Sequence, residues 1–132
     1  MSRGLHALIV EDEIIAGVGM QLVLGDLGFE SFAFAGTATQ AVEQALLRRP
    51  DLVTMDVRLL HGDGLEAAAR IRGAIGSAPT VFVTGDARAL KDDPGAVVVE
   101  KPYGPADMAR AFARAREINV RDEALSEARR SA

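Results

Sequence analysis

Five polar residues stand out in this chain because each lies at the end of a short apolar run. Glu11 and Asp12 follow Ala7-Leu8-Ile9-Val10, and Asp56 follows Leu52-Val53-Thr54-Met55. Thr84 closes Thr80-Val81-Phe82-Val83-Thr84, and Lys101 comes after Val97-Val98-Val99-Glu100. An ionised carboxylate at the end of a buried segment is costly unless something compensates its charge. If Glu11, Asp12 and Asp56 meet, they repel one another until a hard divalent cation sits among them. Magnesium suits such a place, since it takes oxygen ligands, keeps several waters and shares a site with phosphate oxygens. Asp56 is then the natural nucleophile, because a carboxylate forms an acyl phosphate once nearby cations screen it from an anionic donor. Thr84 would donate its hydroxyl to the new phosphoryl oxygens. Lys101 would supply a point charge, paired with Asp56 before transfer and with the phosphoryl group after it.

The elements that must position these groups can be read from the apolar pattern. Ala7–Val10 reads as a buried strand. Ile14, Val18, Leu22 and Leu24 to Leu27 recur near helical spacing, and Gly28 is a fitting stop. Glu30 to Phe34 is β-prone. Thr37 or Thr39 can cap a second helix, with Ala38, Val42, Ala45 and Leu46 apolar, that ends at Arg48-Arg49-Pro50. Leu52–Met55 is a third strand, followed by a loop with Gly62 and Gly64. Leu65–Ile75 is a helix with Leu65, Ala68, Ile71 and Ile75 on one face. Thr80–Thr84 and Val97–Val99 complete the strands. From Tyr103 a last helix turns Met108, Phe112 and Ala115 inward and leads into a polar tail from Arg121 to Ala132.

Uniformly apolar strands alternating with helices imply an α/β fold, a parallel sheet covered on both faces. Ligands of such sheets sit beyond the carboxyl ends of the strands, where the strand order reverses. Glu11, Asp12, Asp56, Thr84 and Lys101 all fall on that edge.

Composition narrows the function classes. The 132 residues suit one domain, and a net charge of −4 gives no basic footprint for nucleic acid. There is no cysteine, which excludes disulfides and thiolate chemistry and fits a reducing compartment. No apolar run approaches membrane-spanning length, and the N-terminus lacks a hydrophobic signal core, so a cytoplasmic location is expected.

With the site set out, the chain resembles the receiver domain of bacterial two-component response regulators. The matching stretches are Leu8-Ile9-Val10-Glu11-Asp12-Glu13, Pro50-Asp51-Leu52-Val53-Thr54-Met55-Asp56-Val57-Arg58-Leu59, Gly62-Asp63-Gly64-Leu65-Glu66, Val83-Thr84-Gly85 and Glu100-Lys101-Pro102. They span about residues 5 to 117. The resemblance implies a doubly wound five-stranded parallel sheet of flavodoxin-like (βα)5 order. By position it implies Asp56 as phosphoacceptor, Asp12 as a direct magnesium ligand and Glu11 as a ligand through water. It also makes the backbone carbonyl of Arg58 a ligand, Thr84 the switch hydroxyl and Lys101 the phosphate-pairing lysine. The Lys101–Pro102 bond is expected to be cis. The implied donor is a histidine kinase or histidine phosphotransfer protein, and the implied output is contact with a downstream protein. Such a module catalyses its own phosphorylation and dephosphorylation only. Residues 1–120 would form a stand-alone receiver domain and 121–132 a polar C-terminal tail.

Three departures from the family pattern matter. Val98 stands where the switch aromatic is usual, three residues before Lys101. Only 16 residues separate Thr84 from Lys101, which leaves room for about one turn over Ala87–Lys91 before Asp92-Asp93-Pro94-Gly95, so the fourth helix should be short or mobile. Leu60 replaces a frequent proline. These features resemble an atypical subclass known by a Phe-Ala-Thr-Gly signature. Phe82, Thr84 and Gly85 match it, while Val83 and Asp86 do not. That subclass is associated with histidine kinases of the HWE type and with general stress signalling.

Smaller expectations complete the reading. Gly85 is either a hinge that uses glycine's backbone freedom or a plain strand-ending turn. Arg58 and Asp86 would pair across the mouth of the site. His6 and His61 read as solvated loop residues. Two other classes stay open. A haloacid dehalogenase-type phosphatase would carry a second aspartate two residues after the nucleophile, where this chain has Arg58. A pseudo-receiver without chemistry would not need the full polar set.

Overall fold

A computed structural model describes residues 4–59, 62–90, 92–93 and 95–131. Leu60, His61, Lys91 and Pro94, named above, lie outside the described residues. The elements are β1 (Leu5–Val10), α1 (Ile14–Asp26), β2 (Phe29–Ala35), α2 (Ala38–Leu47), β3 (Leu52–Asp56), β4 (Arg58–Leu59), β5 (Gly62–Asp63), α3 (Gly64–Ile75), β6 (Thr80–Thr84), a 3-10 turn (Ala87–Leu90), β7 (Val98–Glu100) and α4 (Pro105–Ser131).

Five strands form one parallel sheet in the order β2-β1-β3-β6-β7. The doubly wound flavodoxin-like fold expected from the sequence is thus present. β4 and β5 make a small separate antiparallel pair, Arg58 with Asp63 and Leu59 with Gly62. Side chains alternate across each sheet strand and supply two cores. Ala7, Ile9, Leu52, Val81, Val83 and Val99 face α1 and α4, where Met20, Leu24, Met108 and Ala115 meet them. Leu8, Val10, Val53, Met55 and Phe82 face α2 and α3, where Ala41, Ala45, Ala67 and Ile71 close over them. Burial on both faces explains why the strand runs lack polar alternation.

The helices follow local signals closely. Thr37 caps α2 by accepting from Gln40 N at 3.1 Å. Asp63 caps α3 by accepting from Glu66 N at 2.7 Å, and Glu66 adds negative charge at the helix's positive end. Gly28, with φ +100°, ends α1 as expected.

The buried face of α1 differs from the apolar stripe read in the sequence. Ile14 and Ile15 are 83% and 88% exposed, Val18 and Leu22 are exposed too, and Gly17, Met20 and Leu24 are buried. The helix is apolar nearly all round, so its pattern does not choose a face. The packing does: Gly17 sits on the inward face, and the ring of Phe34 lies at ordinary contact distance, 3.7 Å, from where a Gly17 Cβ would be. On α3 the deepest positions are Ala67 and Ile71, with Leu65 38% exposed. On α2 Leu46 points outward. α4 buries Met108, Ala111 and Ala115, with Phe112 at the margin. It continues as helix through Ser131.

A 3-10 turn occupies the place of the fourth helix, so that element is short, as its 16-residue allotment required. Leu90 anchors the turn in the second core. His6 corrects another expectation. It lies inside β1, only 5% exposed, with Nδ1 2.8 Å from Ser31 Oγ. The strand begins at Leu5, earlier than the apolar run indicated, and carries the imidazole into the sheet.

Candidate functional site

The sheet ladder assembles the site. Val10 stands opposite Met55, Asp56 opposite Val83, and Thr84 opposite Glu100. Glu11 and Asp12 therefore leave β1 beside Asp56 at the end of β3, and Thr84 ends the next strand across. Backbone bonds carry the register one step past the strands. Val57 N donates to Val83 O at 3.1 Å and Lys101 N to Thr84 O at 2.8 Å. The edge where these residues gather is the β1–β3 reversal, where α/β sheets place their ligands.

Carboxylate oxygens of Glu11, Asp12 and Asp56 lie within 4.8 Å of one another, and all three residues are half-buried. Packing three acidic groups this closely has an electrostatic consequence. The Glu11 carboxyl is pushed up to about 7, first by burial and then by hydrogen bonding and charge from Asp56. A hard divalent cation relieves such crowding without altering the chain, and an all-oxygen donor set of partly exposed carboxylates is what magnesium takes. The residues present fit that ion.

Lys101 differs from expectation. Its Nζ stands 3.8 Å from Glu11 Oε1, and that is the ion pair it makes, where the sequence pointed to Asp56. Asp56 Oδ1 instead accepts from Arg58 N at 3.1 Å. The Thr84 side chain, 5% exposed, is also engaged. Its hydroxyl donates to Asp86 O and accepts from Asp86 N, both at 3.1 Å, fastening the loop after β6. The Lys101–Pro102 bond is cis.

The pair proposed across the mouth does not form. Asp86 is bound by Arg88, with Nε 3.0 Å from Oδ1 and Nη2 3.2 Å from Oδ2, and Arg88 N also donates to Oδ1. A neighbour two residues away on the same turn outcompetes Arg58, and it holds the Asp86 carboxyl below its usual range. Gly85 is not in the left-handed region, and a Cβ there would meet nothing within 4 Å.

Two site neighbours were missed by the sequence reading. Gly64 is one: a Cβ there would collide with the carbonyl oxygen of Asp56 and stand 2.9 Å from Met55 Cγ. Its N–H donates to Val57 O at 2.9 Å, drawing α3 against the nucleophile's strand end. A glycine three residues into the matched loop was visible, but its reason is a long-range contact. Tyr103 is the other. It lines a cavity of about 310 Å³ together with Glu11, Asp56 and Lys101.

A parallel sheet with this order and this rim has the architecture of a receiver domain. Residues 7–112 match the response regulator receiver domain family, and the chain belongs to it. It is 36% identical over 124 residues to the transcriptional regulatory protein PdtaR of Mycobacterium tuberculosis, covering 87% of this chain and 60% of that protein. The chain thus spans about 60% of that relative's length. Among solved structures it resembles a CheY-like response regulator receiver domain from Methylobacillus flagellatus, with TM-score 0.74 and 26% identity over 84% of this chain and 98% of that one. It also resembles the receiver domain of the sensor histidine kinase PA1611 from Pseudomonas aeruginosa, with TM-score 0.70 and 27% identity over 85% and 97%. That structure holds a magnesium ion in its active-site cleft. Among the described residues, no helix is long and apolar enough to cross a membrane.

Proposed function

We propose that this receiver accepts a phosphoryl group on Asp56 from a phosphohistidine of a histidine kinase or histidine phosphotransfer protein. The observation that carries this is the meeting of Glu11, Asp12 and Asp56 within 4.8 Å, with Lys101 beside them. Asp12 and Asp56 would hold magnesium directly, Glu11 through water, and Arg58 by its backbone carbonyl. Bound there, magnesium neutralises charge between the carboxylates and the incoming phosphoryl oxygens. An Asp56 carboxylate oxygen attacks phosphorus in line, the bond to the donor imidazole breaks, and its electron pair stays on the histidine nitrogen. Lys101 turns from Glu11 to a phosphoryl oxygen, and Thr84 gives up Asp86 to donate to another. Hydrolysis of the acyl phosphate reverses the state.

The output is a change in contacts with a downstream protein rather than turnover of a separate substrate. Net charge of −4 supports protein over nucleic acid as partner. Partial agreement with the Phe-Ala-Thr-Gly pattern, together with Val98 and the one-turn fourth helix, supports a kinase of the HWE type and a role in general stress signalling in the cytoplasm. Residues 1–120 are assigned to the receiver unit, with the helical tail beyond it.

Incubation with acetyl phosphate and magnesium, followed by intact mass and hydroxylamine treatment, tests the chemistry. The expected result is one phosphoryl group per chain, removed by hydroxylamine and absent from Asp56→Asn. Undiminished labelling of Asp56→Asn would overturn the assignment.

A further inference from the structure

Val98 leaves β7 without an aromatic ring. It is half-buried and packs with the second core, on the α2–α3 side. The aromatic that shares a cavity with the carboxylates belongs to the opposite face. Tyr103 follows the cis Lys101–Pro102 bond and is half-buried against the core shared by α1 and α4, in company with Met20 and Met108. It shares the 310 Å³ cavity with Glu11, Asp56, Lys101 and the α1 residues Gly19 and Met20, so open space separates the ring from full packing. The charge of Glu11 is felt at the phenol, which burial and that charge together hold above its ordinary value.

We propose that Tyr103 is a positioning residue that passes the charge state of the carboxylate cluster to the face formed by α1 and the start of α4. This rests on the phosphorylation reading of Asp56 given above. In the resting state Lys101 holds Glu11, and Tyr103 shares a cavity with that pair. When a cation enters and Lys101 moves to the phosphoryl group, the field at the ring changes and the adjoining cavity gives it room to shift. Ala16, Gly19 and Met20 line the same space, so movement of the ring repacks α1. Its neighbour on that helix is the exposed stripe of Ile14, Ile15, Val18 and Leu22, the surface whose presentation would alter.

The chain has one tyrosine and no tryptophan, so its intrinsic emission reports on Tyr103 alone. Wild type, Tyr103→Leu and Tyr103→Phe are titrated with magnesium and beryllofluoride, followed by backbone amide NMR, with tyrosine emission recorded for wild type. The expected wild-type result is an emission change in step with amide shifts at Asp56 and Thr84, accompanied by shifts from Ala16 to Met20. Tyr103→Leu keeps the site shifts and loses those on α1, and Tyr103→Phe, which keeps the ring but not the hydroxyl that feels the charge, also keeps the site shifts and weakens those on α1. Site amides that move while emission and α1 stay still overturn the inference and leave the phosphorylation reading standing. An α1 response surviving in Tyr103→Leu also overturns it. Amides that move nowhere overturn both.

Discussion

Gly64 and Asp56 are fitted to each other: the α-carbon of the one lies so near the carbonyl oxygen of the other that no side chain fits between them. The close approach lets α3 start directly under the nucleophile, with Asp63 free to cap the helix. Gly64→Ala must therefore push the end of β3 or the start of α3 aside. Overpacking of this kind costs about 1–3 kcal/mol. Urea denaturation should show that loss, and phosphorylation by acetyl phosphate should slow as Asp56 is displaced. A variant with wild-type stability and rate would show that the contact does not position the site.

Crowding of Glu11, Asp12 and Asp56 makes a second prediction about stability without phosphate. Removing one charge by Asp56→Asn should raise metal-free stability, by on the order of 1 kcal/mol for charges a few ångströms apart near the surface. Magnesium should stabilise wild type by about 1.4 kcal/mol at ten times its dissociation constant, through preferential binding to the folded chain. The same magnesium concentration should stabilise Asp56→Asn less. Thermal melts with and without magnesium measure both. A destabilised Asp56→Asn would mean the carboxylates do not strain the fold.

His6 should make the fold sensitive to acid. Its imidazole is buried, Nδ1 is bound to Ser31, and Nε2 has no hydrogen-bond partner. Burial, aided by Arg48 and opposed by Asp51, lowers its pKa below the ordinary 6.5. The unfolded chain therefore takes up the proton first as pH falls. Stability is full above the unfolded value and declines through and below it, at no more than about 1.4 kcal/mol per pH unit for one proton. Glu11, with its raised value, acts in the opposite direction between the ordinary carboxylate range and about 7. The difference between wild type and His6→Gln isolates the imidazole. That difference should vary between pH 7 and pH 5, with wild type losing more on acidification. A constant difference would show that the imidazole does not titrate on unfolding.

The sequence revealed what depends on local order and missed what depends on contact across the fold. Strand ends were readable because burial on both faces leaves an uninterrupted apolar run that stops where a polar residue leaves the core, as at Asp56 and Thr84. Thr37 and Gly28 were readable because caps act within a few residues. The inward face of α1 was not, since a helix apolar nearly all round takes its face from what it packs against, and there Gly17 meets the ring of Phe34. The partner of Asp86 was misjudged for the converse reason: Arg88 is close in sequence, and a pairing across the site was preferred to it. Lys101 was assigned to Asp56 by its chemical role, yet at rest Glu11 stands nearer.

Thr84 carries the last prediction, because its hydroxyl cannot serve the loop and the phosphoryl group at once. At rest it both donates to and accepts from the backbone of Asp86, and Asp86 in turn anchors Arg88 at the start of the one-turn helix. Thr84→Val keeps the shape of the buried side chain and removes both bonds. The expected cost is about 0.5–1.5 kcal/mol for each net hydrogen bond, moderated because water can reach the half-buried Asp86. Amide exchange should quicken at Asp86 and Arg88 while the β1–β3 ladder stays protected. Thr84→Ser should restore slow exchange, since it returns the hydroxyl. In the beryllofluoride-bound wild type the same two amides should exchange as they do in Thr84→Val, because the hydroxyl has moved to the phosphoryl mimic. If they remain as protected as at rest, Thr84 keeps its hold on the loop and takes no part in the phosphorylated state.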